Sequence, residues 1–234
     1  MTQLNAFVEA AQQAFRQIPL SAVAIEQDLR TVKADGGSVV LEVFKAEKFS
    51  KIVFCTITID ETGVLESTAM AWPAEDHNFP ILWCNFTIVP EVMNVPVFDC
   101  IPMMDIIAWP DYATRYVEPI SDLKAEALDI LGESVLNKAV DLPSRTVYAL
   151  SPYKLIPMVT QEGVELVPKV TSMYIAGYLK LVQDSVPVPA QDRQYCLHRR
   201  QQLQALMKAN DPGYPFMVDV FGEETTHRVF DQVF

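Results

Sequence analysis

The sequence predicts an α+β fold in which an antiparallel sheet is covered by helices. Strand-like segments with short connections fill the first half of the chain, and helical periodicity dominates the second. Half of the 234 residues are hydrophobic, enough to build a sizeable core. Eight glycines and four cysteines exclude collagen-like and disulfide-scaffold classes. The proline-containing joints are too short to link domains, so residues 1–234 read as a single domain.

Leu4, Phe7, Val8, Ala11, Phe15 and Ile18 recur at helical spacing and predict a first helix ending before Pro19. Asp35-Gly36-Gly37 signals a turn into a Val-rich strand over 38–44. Residues 51–59 (KIVFCTITI) are β-branched and aromatic, and Asp60-Glu61-Thr62-Gly63 supplies a hairpin loop into a strand over 64–72. Two further strands are expected over 81–89 and 97–109, the second interrupted by Pro102 and therefore at an edge or a bulge. After Pro110 the texture changes. Residues 120–138 carry Leu123, Leu128, Ile130, Leu131, Val135 and Leu136 among charges at helical intervals. Residues 146–159 return to strand-like composition around Ser151-Pro152. Residues 167–183 and 190–210 read as helices on either side of Val186-Pro187-Val188-Pro189, and a last helix starts at Glu223.

Eighteen basic against thirty acidic side chains give a net charge of −12, which argues against a nucleic-acid surface. The first ten residues have no basic leader, and no run of about 18 apolar residues predicts a membrane span. A cytoplasmic monomer with no membrane partner is expected. Cys55, Cys84, Cys100 and Cys196 stand singly, with no CxxC pair and no His at metal spacing, and read as buried thiols; no metal site is expected. The charge is sorted along the chain. No Lys or Arg lies between Lys51 and Arg115, whereas basic residues collect at Lys45, Lys48 and Lys51 and again at Arg193, Arg199, Arg200 and Lys208.

Nucleotide-binding glycine patterns, HExxH and GxSxG are all absent. His77, His198 and His227 are far apart in sequence, so any His-based site would have to be assembled by the fold. Two segments stand out. Residues 72–85 set Glu75, Asp76, His77, Asn78 and Asn85 among aromatics between two strands, a composition suited either to a solvated connection or to a pocket rim. Residues 208–217 contain Asn210-Asp211-Pro212-Gly213, a turn by local preference, followed by Tyr214, Phe216 and then Phe221-Gly222-Glu223.

Asn-Asp-Pro, then Phe-Gly-Glu nine residues on, then a short helix ending at Phe230 to Phe234, resembles the C-terminus of the ferredoxin-dependent bilin reductases. Phe49-Ser50-Lys51-Ile52, residues 78–85 and Leu150-Ser151-Pro152 resemble other elements of that family, in the same order. The resemblance implies a three-layer αβα sandwich with a central antiparallel sheet, enclosing a linear tetrapyrrole. It also implies reduction of biliverdin or a dihydrobiliverdin without bound flavin or metal. An external reduced [2Fe-2S] ferredoxin would deliver single electrons, and side chains would deliver protons to a bilin radical.

By the same resemblance Asp211 falls on the family's C-terminal proton donor, which points to reduction on the A-ring side. Asn85 falls where many members carry an Asp, and Thr68 where some carry a His. An amide donates hydrogen bonds but no proton, so both are departures, with His77 close enough in sequence to compensate. Met158 stands where some members place an Arg. Lys154, Arg145, Arg199 and Arg200 are the remaining candidates for the propionates, and Asn210 and Phe216 flank Asp211 as substrate contacts. The lost His and Asp leave a competing reading, a non-catalytic bilin carrier or chaperone on the same scaffold.

Overall fold

A computed structural model describes residues 2–139 and 144–234. In chain order they form α1 (Thr2–Phe15), β1 (Ser21–Ala22), α2 (Gln27–Arg30), β2 (Thr31–Ala34), β3 (Gly37–Ala46), β4 (Phe49–Ile59), β5 (Val64–Pro73), β6 (Ile81–Val89) and β7 (Met93–Ile101). There follow α3 (Pro110–Tyr112), running into a π-helical turn at Ala113–Val117, and then α4 (Ile120–Leu131), β8 (Val135–Ala139), α5 (Ser144–Ala149) and β9 (Pro157–Val159). The chain finishes with α6 (Gln161–Val182), α7 (Ala190–Asn210), α8 (Tyr214–Phe221) and α9 (Glu223–Val233).

Strands β3 to β7 form an antiparallel meander in chain order, with β1 and β2 sharing the outer edge of β3. Successive side chains alternate between the two faces. Phe54, Ala69, Ala71, Leu82, Cys84 and Phe86 pack on one face with Leu4, Phe7 and Phe15 of α1, Ala127 of α4 and Tyr174 and Tyr178 of α6. Leu41, Val53, Cys55, Met70 and Trp72 pack on the other, beneath Leu203 and Met207 of α7, Met217 of α8 and Val229, Phe230 and Val233 of α9. Helices on both faces of one antiparallel sheet make the αβα sandwich. All four cysteines are buried thiols. No helix among the described residues is long and apolar enough to cross a membrane.

Three sequence expectations need correction. The strand expected over 97–109 starts at Met93 and stops at Ile101, because Pro102 removes a ladder donor; β7 is an edge strand and also tolerates Pro96. The helix expected to reach residue 138 stops at Leu131, where Gly132 adopts φ 51° and the chain turns into β8. Residues 146–159, expected as strand, begin in α5 and contribute only the three-residue β9, paired with β8. Residues 214–221, for which no element is expected from the sequence, also form a helix; Pro215 lies in its first turn, where its missing N–H costs nothing.

Candidate functional site

The second face of the sheet and the last three helices enclose a cleft. Register builds its floor: Cys55 of β4, Thr68 of β5 and Asn85 of β6 lie side by side across three strands. Glu66, two residues before Thr68, points to the same face. Ile57, Ile59, Val64 and Trp83 complete the floor, and Met217, Phe216, Val229, Phe230, Val233 and Phe234 form the roof. The roof is pinned at its far end, where Trp72 Nε1 donates to the Val233 carbonyl at 3.1 Å. Gly222, at φ 79°, allows the sharp reversal between α8 and α9. The enclosed cavity is about 60 Å³, far below the usual size of a pocket for a drug-sized ligand, so entry of a larger ligand requires α8 and α9 to lift from the sheet.

Asp211 stands at the mouth, on the turn that ends α7. Its Oδ1 accepts the Gly213 N–H at 2.8 Å, which fixes the carboxylate beside the start of α8. A Cβ added to Gly213 would lie 3.1 Å from Asp211 Oδ1 and 3.7 Å from Glu66 Oε2, so two carboxyl groups close on one point. Burial pushes Asp211 up to about 6, and burial followed by the charge of Asp211 pushes Glu66 up to about 7. Among the described residues, no Lys or Arg lines the cavity to oppose them.

Asn85 is fixed by three hydrogen bonds. Its Nδ2 donates to Glu66 Oε1 at 2.8 Å and to Thr68 Oγ1 at 2.9 Å, while its Oδ1 accepts from Thr87 Oγ1 at 3.1 Å. Cys55 lines the same wall, its thiol pushed well up by burial and then by the two carboxylates.

The fold therefore brings Asp211, Asn85, Thr68 and Phe216 together and leaves His77, Lys154, Arg199, Arg200 and Asn210 outside. His77 is buried between Asp76, whose Oδ1 lies 2.8 Å from its Nδ1, and the edge of Phe79, a residue of the opposite core; it does not line the cavity. Arg200 spans the ends of β4 and β5, donating to the Pro73 and Ala74 carbonyls and to Ser50 Oγ. Arg199 acts on Asp105 and Lys154 on Asp99, both away from the cleft. Asn210 turns back along its own helix and donates to the Leu206 carbonyl at 2.7 Å. The Arg145 side chain lies outside the described residues. Glu66 was missed by sequence reasoning, although period-two counting from Thr68 places it on the same face.

The family model of the ferredoxin-dependent bilin reductases matches residues 8–234. Among solved structures, the crystal structure of phytochromobilin synthase from tomato in complex with biliverdin superposes with a TM-score of 0.81 at 18% identity, covering 95% of this chain and 79% of that one. At that identity the likeness is one of fold. No curated protein sequence matches the chain. With the family pattern running through nearly the whole length and the same sandwich built from it, the chain belongs to the ferredoxin-dependent bilin reductases.

Proposed function

We propose that the chain reduces biliverdin or a dihydrobiliverdin, with single electrons from reduced ferredoxin and protons from the cleft. The observation that carries this reading is Asp211: a carboxyl group at the mouth of an apolar cleft, held above its ordinary value by burial, which moves its proton exchange toward neutral pH. The cleft lies on the sheet face roofed by the C-terminal helices. The tomato protein of the same fold was crystallised with biliverdin, which supports a bilin as the ligand here. Since no Lys or Arg lines the cleft among the described residues, the two propionates are expected to point to water. A planar pigment would slide between the sheet and α8–α9, with Asp211 at its edge.

Electron delivery needs a docking face for an acidic ferredoxin. Lys208 and Arg200 both lie near enough to Lys51 to depress its pKa, so members of the two basic clusters of the sequence meet at Lys51. Anaerobic incubation with reduced ferredoxin and either biliverdin or 15,16-dihydrobiliverdin is expected to shift the bilin spectrum. Unchanged pigment with both substrates overturns the reading. Asp211→Asn is expected to bind bilin and stall its reduction. Thr68 and Asn85 favour the carrier reading, since neither holds a transferable proton; a bound-bilin spectrum persisting under reductant would establish it.

A further inference from the structure

Thr68 and Asn85 leave the sheet side of the cleft without a proton donor, and Glu66 stands beside both. Its Oε1 accepts from Asn85 at 2.8 Å and its Oε2 faces Gly213 and Asp211. The titratable or polar groups that face it are Asp211 from the α7–α8 turn, Cys55 from β4 and Asn85 from β6; α9 presents only apolar side chains. Two carboxyl groups that converge on Gly213, in a cleft where no Lys or Arg is found among the described residues, repel each other when both are ionised, which favours keeping one proton on the pair.

We infer that Glu66 supplies from β5 the acid that Asn85 does not supply from β6, and that Glu66 and Asp211 together form a two-carboxyl donor to the bound bilin. This rests on the reductase reading above. The upward shifts of both groups agree with a shared proton. Asp211 also borders an outer groove of about 400 Å³ with Lys208, Tyr214 and His227, which gives the pair a route to solvent protons.

Each reduction removes one π bond of the bilin and adds two hydrogens. Two reduced ferredoxins are each oxidised by one electron. One proton leaves the carboxyl pair, and the second arrives after the pair has been reloaded from the groove. Asn85 holds the Glu66 carboxyl against the floor while this happens and acts as a positioning residue.

The test compares wild type, Glu66→Gln, Glu66→Asp and Asp211→Asn, each shown to be folded by circular dichroism. Biliverdin binding is read by absorbance, and anaerobic single turnover with reduced ferredoxin by absorbance and electron paramagnetic resonance. Glu66→Gln keeps the Asn85 contact and is expected to bind biliverdin like wild type, to slow turnover by about 10²-fold and to accumulate bilin radical. Glu66→Asp is expected to recover part of the rate, with a shifted pH profile. In the free protein, the ¹³C-labelled Glu66 carboxyl is expected to titrate near neutrality. Wild-type turnover and an unchanged pH profile in Glu66→Gln, or a Glu66 carboxyl titrating in the ordinary carboxylate range, overturns this inference and leaves the reductase reading intact. A wild-type protein that turns over neither biliverdin nor 15,16-dihydrobiliverdin overturns both.

Discussion

The Asn85 side chain donates to Glu66 Oε1 at 2.8 Å, across the diagonal between β5 and β6. That bond gives the half-buried carboxyl group one of its few polar partners and spends an amide N–H that would otherwise face the cleft. Position 85 is therefore committed to holding a neighbour rather than to donating a proton.

Asn85→Asp would replace this bond by a third carboxyl group beside Glu66 and Asp211. Above pH 7 the expected outcome is a less stable protein, by about 1–3 kcal/mol, because a buried acceptor then faces another acceptor. Near pH 5, where a proton bridges the two side chains, the loss is expected to shrink. Thermal unfolding of both proteins at the two pH values checks this.

Glu66 also links stability to pH. Its folded value, raised from 4.5 to about 7, means that the folded chain binds more protons than the unfolded chain between those limits. The Glu66 contribution is fully present below pH 4.5 and is lost as pH rises through the folded value. Glu66→Gln removes this titration, so the fall in unfolding free energy between pH 5 and pH 8 is expected to be smaller in the variant by roughly 2 kcal/mol. Urea denaturation at a series of pH values measures the difference.

A second buried acid has a structural role. Asp99 Oδ1 accepts from the Cys100 N–H at 2.9 Å and from Ser151 Oγ, and its Oδ2 accepts from the Ser151 N–H at 3.0 Å. These bonds tie the Leu150-Ser151-Pro152 element to the edge strand β7. Asp99→Ala would strand two buried N–H groups and one hydroxyl, at an expected cost of about 3 kcal/mol, whereas Ser151→Ala should cost about 1 kcal/mol. Chemical denaturation of the two variants separates these outcomes.

The meander was legible because β4 and its neighbours are rich in β-branched and aromatic residues and Asp60-Glu61-Thr62-Gly63 marks the hairpin between β4 and β5. The C-terminal turn was legible too, so Asp211 was found. Glu66 was hidden by its surroundings: in a stretch with acidic residues and no basic ones, another Glu reads as solvated, and only the roof contributed by α8 and α9, some 150 residues on, turns it into a half-buried group lining the cleft. His77 failed for the opposite reason. Its aromatic neighbours resemble a pocket rim in sequence, but the connection after β5 folds it against Phe79 and the core beneath α6. Arg200 carries a charge that sequence assigns to a ligand and the fold assigns to three acceptors at the strand ends.

The basic clusters give the last prediction. Lys51 lies over the Trp72 ring at 5.5 Å, and burial, then Lys208 and then Arg200, lower its pKa to about 8. Three cations thus gather at the end of β4 next to the roof helices, although Asp231 offsets Lys208 through an ion pair. An acidic electron donor repelled by the net −12 would be guided to this patch at close range, within about 10 Å at 0.1 M salt. Lys51→Gln is expected to raise the ferredoxin concentration needed for half-maximal rate several-fold at low salt, with the gap closing above about 0.5 M salt. Because Lys51 loses its charge as pH rises through about 8, the wild-type requirement for ferredoxin should itself rise between pH 7 and pH 9, while that of Lys51→Gln changes less. Steady-state rates over a grid of ferredoxin concentration, salt and pH decide the matter, and an identical salt response in the two proteins would place the docking face elsewhere.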